Sequence, residues 1–377
     1  MTWNIPLIKQ LGIKYPIFGF SHSIDVAVAI ARSGGFPVLG LGRELPEDIK
    51  DVVTTVERRM EDMPYGLDLM LPSHIPDHGS VEQFRKELPR AQVEFTEKLR
   101  KRFKVRKPTR CSFFTDQVRS EALFAEQIEV TLASNCNAVV TAIGLREDLI
   151  RRAKQRGKLA ISLVGSVKHA KKALGMGVDV LVAQGYDAGG HTGMVGTMSL
   201  LPQILAVAQG RPVLAAGGIA TGEQIFGVIG MGAQGGWLGT LWLASKENHT
   251  PKALLDRLIN GQSEDTVITR AHSGKPCRVI RSPWIEAWSE PSAPSPLPMP
   301  LQQVLTGDVF TSMHEFNDPA IIYEAAGQSV FGISKATTVK AQMDRLIRAL
   351  DVAKTRCQSW TSCVAQDSTV MNYAIKS

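Results

Sequence analysis

The chain has 377 residues, 44% of them hydrophobic, and a formal net charge of +7 at pH 7. That length exceeds one minimal domain and suits an α/β barrel with additions, one principal domain plus appendages. No uninterrupted apolar stretch approaches the ~18 residues of a membrane-spanning helix. The start, Met1-Thr2-Trp3-Asn4-Ile5-Pro6, lacks the charged and apolar segments of a signal peptide. The five cysteines (Cys111, Cys136, Cys277, Cys357, Cys363) are scattered and never spaced Cys-x-x-Cys. They argue against a disulfide framework or a zinc site and fit a reduced cytoplasm. The modest positive charge can aid capture of anionic ligands, but its placement counts for more than its sum.

In chain order, Tyr15–Phe20 reads as a first strand, followed by a helix over Ile24–Arg32. Ser23 or Ser21 suits its N-cap and Gly34-Gly35 its stop. Phe36–Leu39 is a second strand, Pro46–Met60 a helix with proline and acids in its first turn, and Tyr65–Leu71 a third strand. Residues 73–110 then read as an insertion: a His/Pro/Asp loop and a charged helical stretch, Val81–Phe103, interrupted at Pro89. Its basic run, Lys98–Lys107, reads as a solvated helix face, since no interleaved aromatics or binding module point to nucleic acid.

Regular alternation resumes with helices over Gln117–Ala133, Arg146–Arg156 and Val167–Met176 and strands over Ala138–Ala142, Leu159–Val164 and Asp179–Ala183. The helix Leu200–Ala208, the strand Pro212–Ala216, the helix Gly222–Gly230 and the strand Ala233–Leu238 complete eight candidate strands. Eight such units predict a (β/α)8 TIM barrel over residues 1–245, with the helical insertion after strand three. A C-terminal extension packing on the barrel is expected over 246–356. It contains the proline-rich connector Pro291–Pro300, expected to be extended and superficial, and a basic amphipathic helix over Arg345–Lys354. Residues 357–377 read as a flexible Ser/Thr-rich tail.

Three segments carry the chemistry. The apolar run ending at Ala183 breaks into Gln184-Gly-Tyr-Asp-Ala-Gly-Gly-His191. Glycines at this density allow close backbone approach to a flat or anionic ligand. A histidine in such a cradle, at the carboxyl end of a buried strand, lies where parallel α/β folds build their sites. Ala216-Gly-Gly-Ile219 and Gly235-Gly-Trp-Leu-Gly-Thr240 follow the seventh and eighth strands. Backbone N–H groups at Gly217-Gly218 and Gly239-Thr240, with the Thr240 hydroxyl, can cradle a phosphate dianion. Neither a P-loop nor a dinucleotide-binding glycine motif is present, nor is His-Glu-x-x-His metal spacing.

These three segments together resemble the nitronate monooxygenase family (2-nitropropane dioxygenases), FMN-dependent TIM-barrel enzymes. The likeness runs from Tyr15 to about Gln328, with Thr269-Arg-Ala-His-Ser-Gly274 and Ala326-Gly-Gln328 as lesser matches. The FMN-dependent enoyl-acyl carrier protein reductases share the glycine-histidine motif. The resemblance implies that Gln184, Gly189 and Gly190 contact FMN, that Gly217, Gly218, Trp237, Leu238, Gly239 and Thr240 hold its ribityl phosphate, and that His191 is catalytic. Where the family has Asn this chain has Asp68, which can accept from the flavin but donates only when protonated; a strand-end structural carboxylate is the other reading. Phe20, Ser21 and His22 replace the family's usual element after strand one and are expected to line the substrate pocket. His22 reads as a second acid/base or as a structural residue, His74 and His78 as part of a lid or of a solvated loop.

Three functions compete on this reading. The first is FMN-dependent oxidation of alkyl nitronates by O2 to a carbonyl compound and nitrite. The second is an NAD(P)H-driven reductase of an enoyl thioester or quinone, and the third a flavin-binding or sensing barrel without turnover. The expected partners are a small-molecule substrate and O2, with no metal, nucleic acid or membrane. The expected location is the cytoplasm. The sequence leaves oligomeric state open, a homodimer being one expectation.

Overall fold

The computed structural model describes residues 3–42, 44–71, 81–110 and 120–364. Eleven strands are described: β1 (Ile17–Ser21), β2 (Phe36–Gly40), β3 (Gly66–Met70), β4 (Ala138–Ile143), β5 (Leu159–Val164), β6 (Val180–Gln184), β7 (Gly190–His191), β8 (Val213–Ala216), β9 (Gly236–Leu238), β10 (Thr266–Thr269) and β11 (Cys277–Ile280). Eight of them close a parallel barrel in the order β1-β2-β3-β4-β5-β6-β8-β9. Closure comes from β9 pairing back onto β1, Phe18 opposite Trp237. The remaining three form a small sheet, β10-β11-β7.

The helices are α1 (Pro6–Leu11), α2 (Ile24–Arg32), α3 (Pro46–Met60), α4 (Val81–Lys86), α5 (Arg90–Arg102), α6 (Glu121–Ala133), α7 (Glu147–Gln155), α8 (Val167–Gly175), α9 (Thr197–Val207), α10 (Gly222–Gly230), α11 (Lys252–Asn260), α12 (Pro283–Ala287), α13 (Leu301–Glu315) and α14 (Val339–Val364). Each predicted barrel strand is found, and the (β/α)8 reading is correct. The N-cap of α2 is Ser23, whose hydroxyl accepts from Val26 N, while Ser21 Oγ accepts from Ser23 N. Residues 73–80, with His74 and His78, lie outside the described residues, as do 117–119 at the predicted start of α6.

The pleat divides the strands' apolar residues between two cores. Phe18, Phe36, Val38, Val140, Val182 and Leu214 fill the barrel interior. Leu39, Leu67, Leu69 and Val139 face the helices outside. A short helix the sequence reading overlooked, α1, sends Leu7, Ile8 and Leu11 into the interior cluster. Its spacing of apolar residues, Pro6 at its start and Gly12 at φ 66° as its stop were all legible.

Of three expectations about the appendages, two gain detail and one changes. The basic run of α5 is a mostly exposed face, as expected, but two of its arginines meet the C-terminal extension. Arg100 pairs with Asp308 at 2.7 Å and Arg102 with Glu290 at 2.8 Å, and Phe95 packs edge-on against Trp288. The insertion therefore docks on the C-terminal extension, mostly through aromatic burial, since exposed ion pairs contribute little. The helix expected over Arg345–Lys354 extends to Val364, past the start of the expected tail at Cys357. No glycine or proline follows Lys354, so nothing stops an established helix there. The proline-rich connector is superficial, as expected, and is anchored by its one buried residue, Leu297, whose N–H donates to Gln302 Oε1 at 2.9 Å.

The long helix α14 is seated on the barrel through α10 and α2. At Gly222 the two backbones meet so closely that a Cβ would overlap Leu346 and Leu350. Gly222→Ala is therefore expected to cost about 3 kcal/mol by overpacking, more than most helix Gly→Ala changes, which stabilise. Urea unfolding would check it; a midpoint at or above the parent's contradicts this packing.

Candidate active site

The carboxyl ends of the strands open onto a cavity of about 310 Å3. Phe20, Ser21, His22, Asp68, Gln184, Gly189, Gly190, His191, Gly217, Gly218, Trp237, Leu238, Gly239 and Thr240 all line it. Apart from His74 and His78, which lie outside the described residues, the site residues singled out from the sequence thus converge on one cavity. Barrel folds put their reacting groups at this face, because the loops there are free to vary on a rigid scaffold.

The loop after β6 is tied down along its length. Gly185 N donates to Ala216 O at 2.9 Å and Tyr186 N to Val195 O at 2.7 Å. Asp187 turns away from the histidine: its Oδ2 accepts from Thr197 N, 2.6 Å, at the start of α9. Arg278, buried on β11, donates from Nε to Tyr186 O at 3.0 Å and lies over the Tyr186 ring. Gly190 then enters β7 at φ 83°, and His191 pairs with Cys277. The histidine backbone is thus part of a sheet, not of a loose loop.

The His191 ring is held as well. Its Nε2 lies 2.6 Å from Ser273 Oγ, and its centroid 6.2 Å from that of His272. His272 in turn lies 3.2 Å, through Nδ1, from the Tyr323 hydroxyl. His272, Cys277, Gln303, Glu324 and Ser329 also line the cavity. All come from the C-terminal extension, which the sequence reading treated as packing. The sequence signals in this region were the segments Thr269–Gly274 and Ala326–Gln328, read as lesser family matches without a role.

The glycine turns after β8 and β9 both line the cavity, at the ends of neighbouring strands. Gly217 and Gly218 have φ of 107° and 70°, a region open to glycine and strained for other residues. Gln224 closes the turn by donating to Gly218 O at 3.0 Å and accepting from Ala220 N at 2.7 Å. A short 3-10 helix, Thr240–Ala244, starts beside it. Thr240 Oγ1 accepts from Gly327 N at 2.9 Å, which leaves its own O–H available to donate. Gly327 also presses on Gly189, where a Cβ would lie 2.7 Å from its nitrogen. The segment Ala326–Gln328 thereby clasps both loops, Gln328 N donating to Asp187 O at 2.9 Å.

At the opposite wall His22 Nδ1 lies 2.9 Å from Gly40 O. A carbonyl only accepts, so Nδ1 carries the proton, and Nε2 is the acceptor in the neutral ring. The ring stands edge-on to Phe20, which stacks on Trp237. Asp68 projects into the cavity with 5% exposure, and its Oδ1 has no hydrogen-bond partner among the described residues. Burial pushes its carboxyl well above the ordinary carboxylate range. The donor set therefore fits a flavin: glycine turns at one end, aromatic and glycine walls, and an orphaned polar atom within.

Residues 4–349 match the family model described as nitronate monooxygenase. The chain belongs to the nitronate monooxygenase family, flavin-dependent oxidoreductases. It is 35% identical over 314 residues to "Putative monooxygenase Rv1533" of Mycobacterium tuberculosis, covering 80% of this chain and 82% of that one. It is 30% identical to the "Probable nitronate monooxygenase" of Staphylococcus aureus strain Newman, over 87% and 92% of the two chains. The nitroalkane oxidase of Streptomyces ansochromogenes superposes with a TM-score of 0.78 at 24% identity, covering 93% of this chain and 99% of that one. This last likeness is one of fold.

Proposed function

We propose that this chain binds FMN and oxidises alkyl nitronates with O2, giving a carbonyl compound and nitrite. The observation that carries the reading is His191, fixed by Ser273 at 2.6 Å on the wall of a cavity that the glycine turns also line. Gly217, Gly218, Gly239 and Thr240 would hold the phosphate. Gln184, Gly189, Gly190, Trp237, Leu238 and Asp68 would surround the rest. Bound FMN supplies the redox chemistry; the protein supplies orientation and proton handling. A neutral His191 imidazole can take the proton from the carbon next to a nitro group. Protonated, it can donate to a nitronate oxygen and hold the anion in place. Ser273, on the same imidazole, limits the ring to one orientation during either step. Apolar Phe20, Met70 and Leu243 line the same cavity and would offer an alkyl chain an apolar surface.

The protein is expected to be isolated yellow and to release FMN, not FAD, on denaturation, because the glycine turns offer one phosphate site. Anaerobic mixing should then bleach it rapidly with an alkyl nitronate and slowly with NAD(P)H. Rapid bleaching by NAD(P)H alone would favour a reductase of an enoyl thioester or quinone. Bleaching by neither would favour a binding or sensing barrel.

A further inference from the structure

The pleat of β3 sends Leu67 and Leu69 into the outer core, and the residue between them into the barrel. That residue is Asp68, an acid on the inward face of a buried strand. Its register partners are Gly40 on β2, which contributes no side chain, and Val140 on β4, which belongs to the interior apolar cluster. Neither β2 (Phe-Pro-Val-Leu-Gly) nor β4 (Ala-Val-Val-Thr-Ala-Ile) carries a titratable group. The described residues that line the cavity include no lysine or arginine. The backbone N–H of Ala142 hydrogen-bonds to the carboxyl, while Oδ1 is buried without a partner among the described residues. An ionised carboxylate in such surroundings is strongly disfavoured, and a neutral acid is not.

We infer that Asp68 is carried as a neutral carboxylic acid, and that its O–H and carbonyl together hold the imide edge of the flavin ring. A carboxylic acid presents one donor and one acceptor side by side, as an asparagine amide does, and an imide edge presents the complement. A carboxylate presents acceptors alone, so the pairing fails when Asp68 ionises. The inference rests on the flavin reading of this cavity. It makes Asp68 a cofactor-positioning residue whose action is tied to its proton.

Other titratable groups face the same space. His22 lies against Gly40, where a Cβ would stand 2.7 Å from its ring. His191, His272, Cys277 and Glu324 line the cavity from β7, β11 and the extension. Their ionisation acts on parent and Asp68→Asn alike, so the difference between the two profiles isolates Asp68. The sign is fixed. A carboxyl whose native pKa is raised keeps its proton above the ordinary value of 3.8, where the unfolded chain has lost it. Stability from this group therefore falls as pH rises from that value to the native one, and levels off beyond.

The test is the dissociation constant of FMN against pH, read by quenching of FMN fluorescence, for the parent, Asp68→Asn and Asp68→Ala. Infrared spectra of the same proteins give the carbonyl band of a protonated carboxylic acid. The parent should bind tightly at neutral pH and weaken by about tenfold or more as Asp68 ionises. Asp68→Asn should bind as the neutral parent does, with no such step, and should lack one protonated-acid band. Asp68→Ala should bind about tenfold more weakly at every pH. If FMN binds but the parent and Asn profiles superimpose, or no band is lost, the inference is overturned while the flavin reading stands. If folded parent protein takes up no FMN, the flavin reading fails and the pairing with it.

Discussion

His191→Asn should keep its FMN and lose turnover by on the order of 10²- to 10⁴-fold with a neutral nitroalkane, the usual cost of removing a general base. The loss should be smaller with a preformed nitronate, whose proton is already gone. Retention of flavin follows from the separation of roles. The proposed phosphate site is the turn at Gly217-Gly218 and that at Gly239-Thr240, apart from His191, whose backbone is fixed by its pairing with Cys277. Asparagine sustains that pairing and removes only the imidazole that Ser273 orients. Steady-state rates with both substrate forms, beside the flavin absorbance of each preparation, would check it. Parental rates with both forms and full flavin content would make His191 structural.

The barrel was legible because its signal is local and repeated. Short β-branched runs such as Leu159–Val164 and Val180–Gln184 alternate with capped helices, and each unit announces itself within about 30 residues. The position of the glycine turns on the cavity was legible for the same reason, since glycines directly after β8 and β9 mark backbone free to approach a ligand. What was hidden is contact between distant segments. Ser273 is 82 positions from His191, and Arg278 is 92 from Tyr186. No periodicity or cap in one segment reveals its partner in the other. The extension was therefore read as packing, although it supplies the group that orients the histidine and the Ala326–Gln328 clasp on both glycine loops. The docking of helix α5 was hidden for a related reason. Its charges are mostly solvated, as they look, but Arg100 and Arg102 meet Asp308 and Glu290 only once the fold brings them together.

Gly218→Val should weaken FMN retention by about 100-fold or more, equivalent to about 2.8 kcal/mol. Two effects combine. The backbone at φ 70° is strained for a β-branched residue, by about 1–3 kcal/mol. The side chain would also begin 3.2 Å from Asp187 Cβ, crowding the loop that carries His191. Gly217 is the poorer test, because a Cβ there would strike Thr197 Oγ1 at 2.7 Å and Ala188 N at 2.9 Å, so its variants report packing as much as binding. Gly218→Ala supplies the graded control, with the same φ but less bulk, and should retain more flavin than Val and less than the parent. Equilibrium dialysis against FMN, with circular dichroism to confirm folding, separates lost binding from lost structure. If Gly218→Val folds and holds FMN as the parent does, the phosphate is bound elsewhere, and the glycine turn after β8 is only a tight connection into α10.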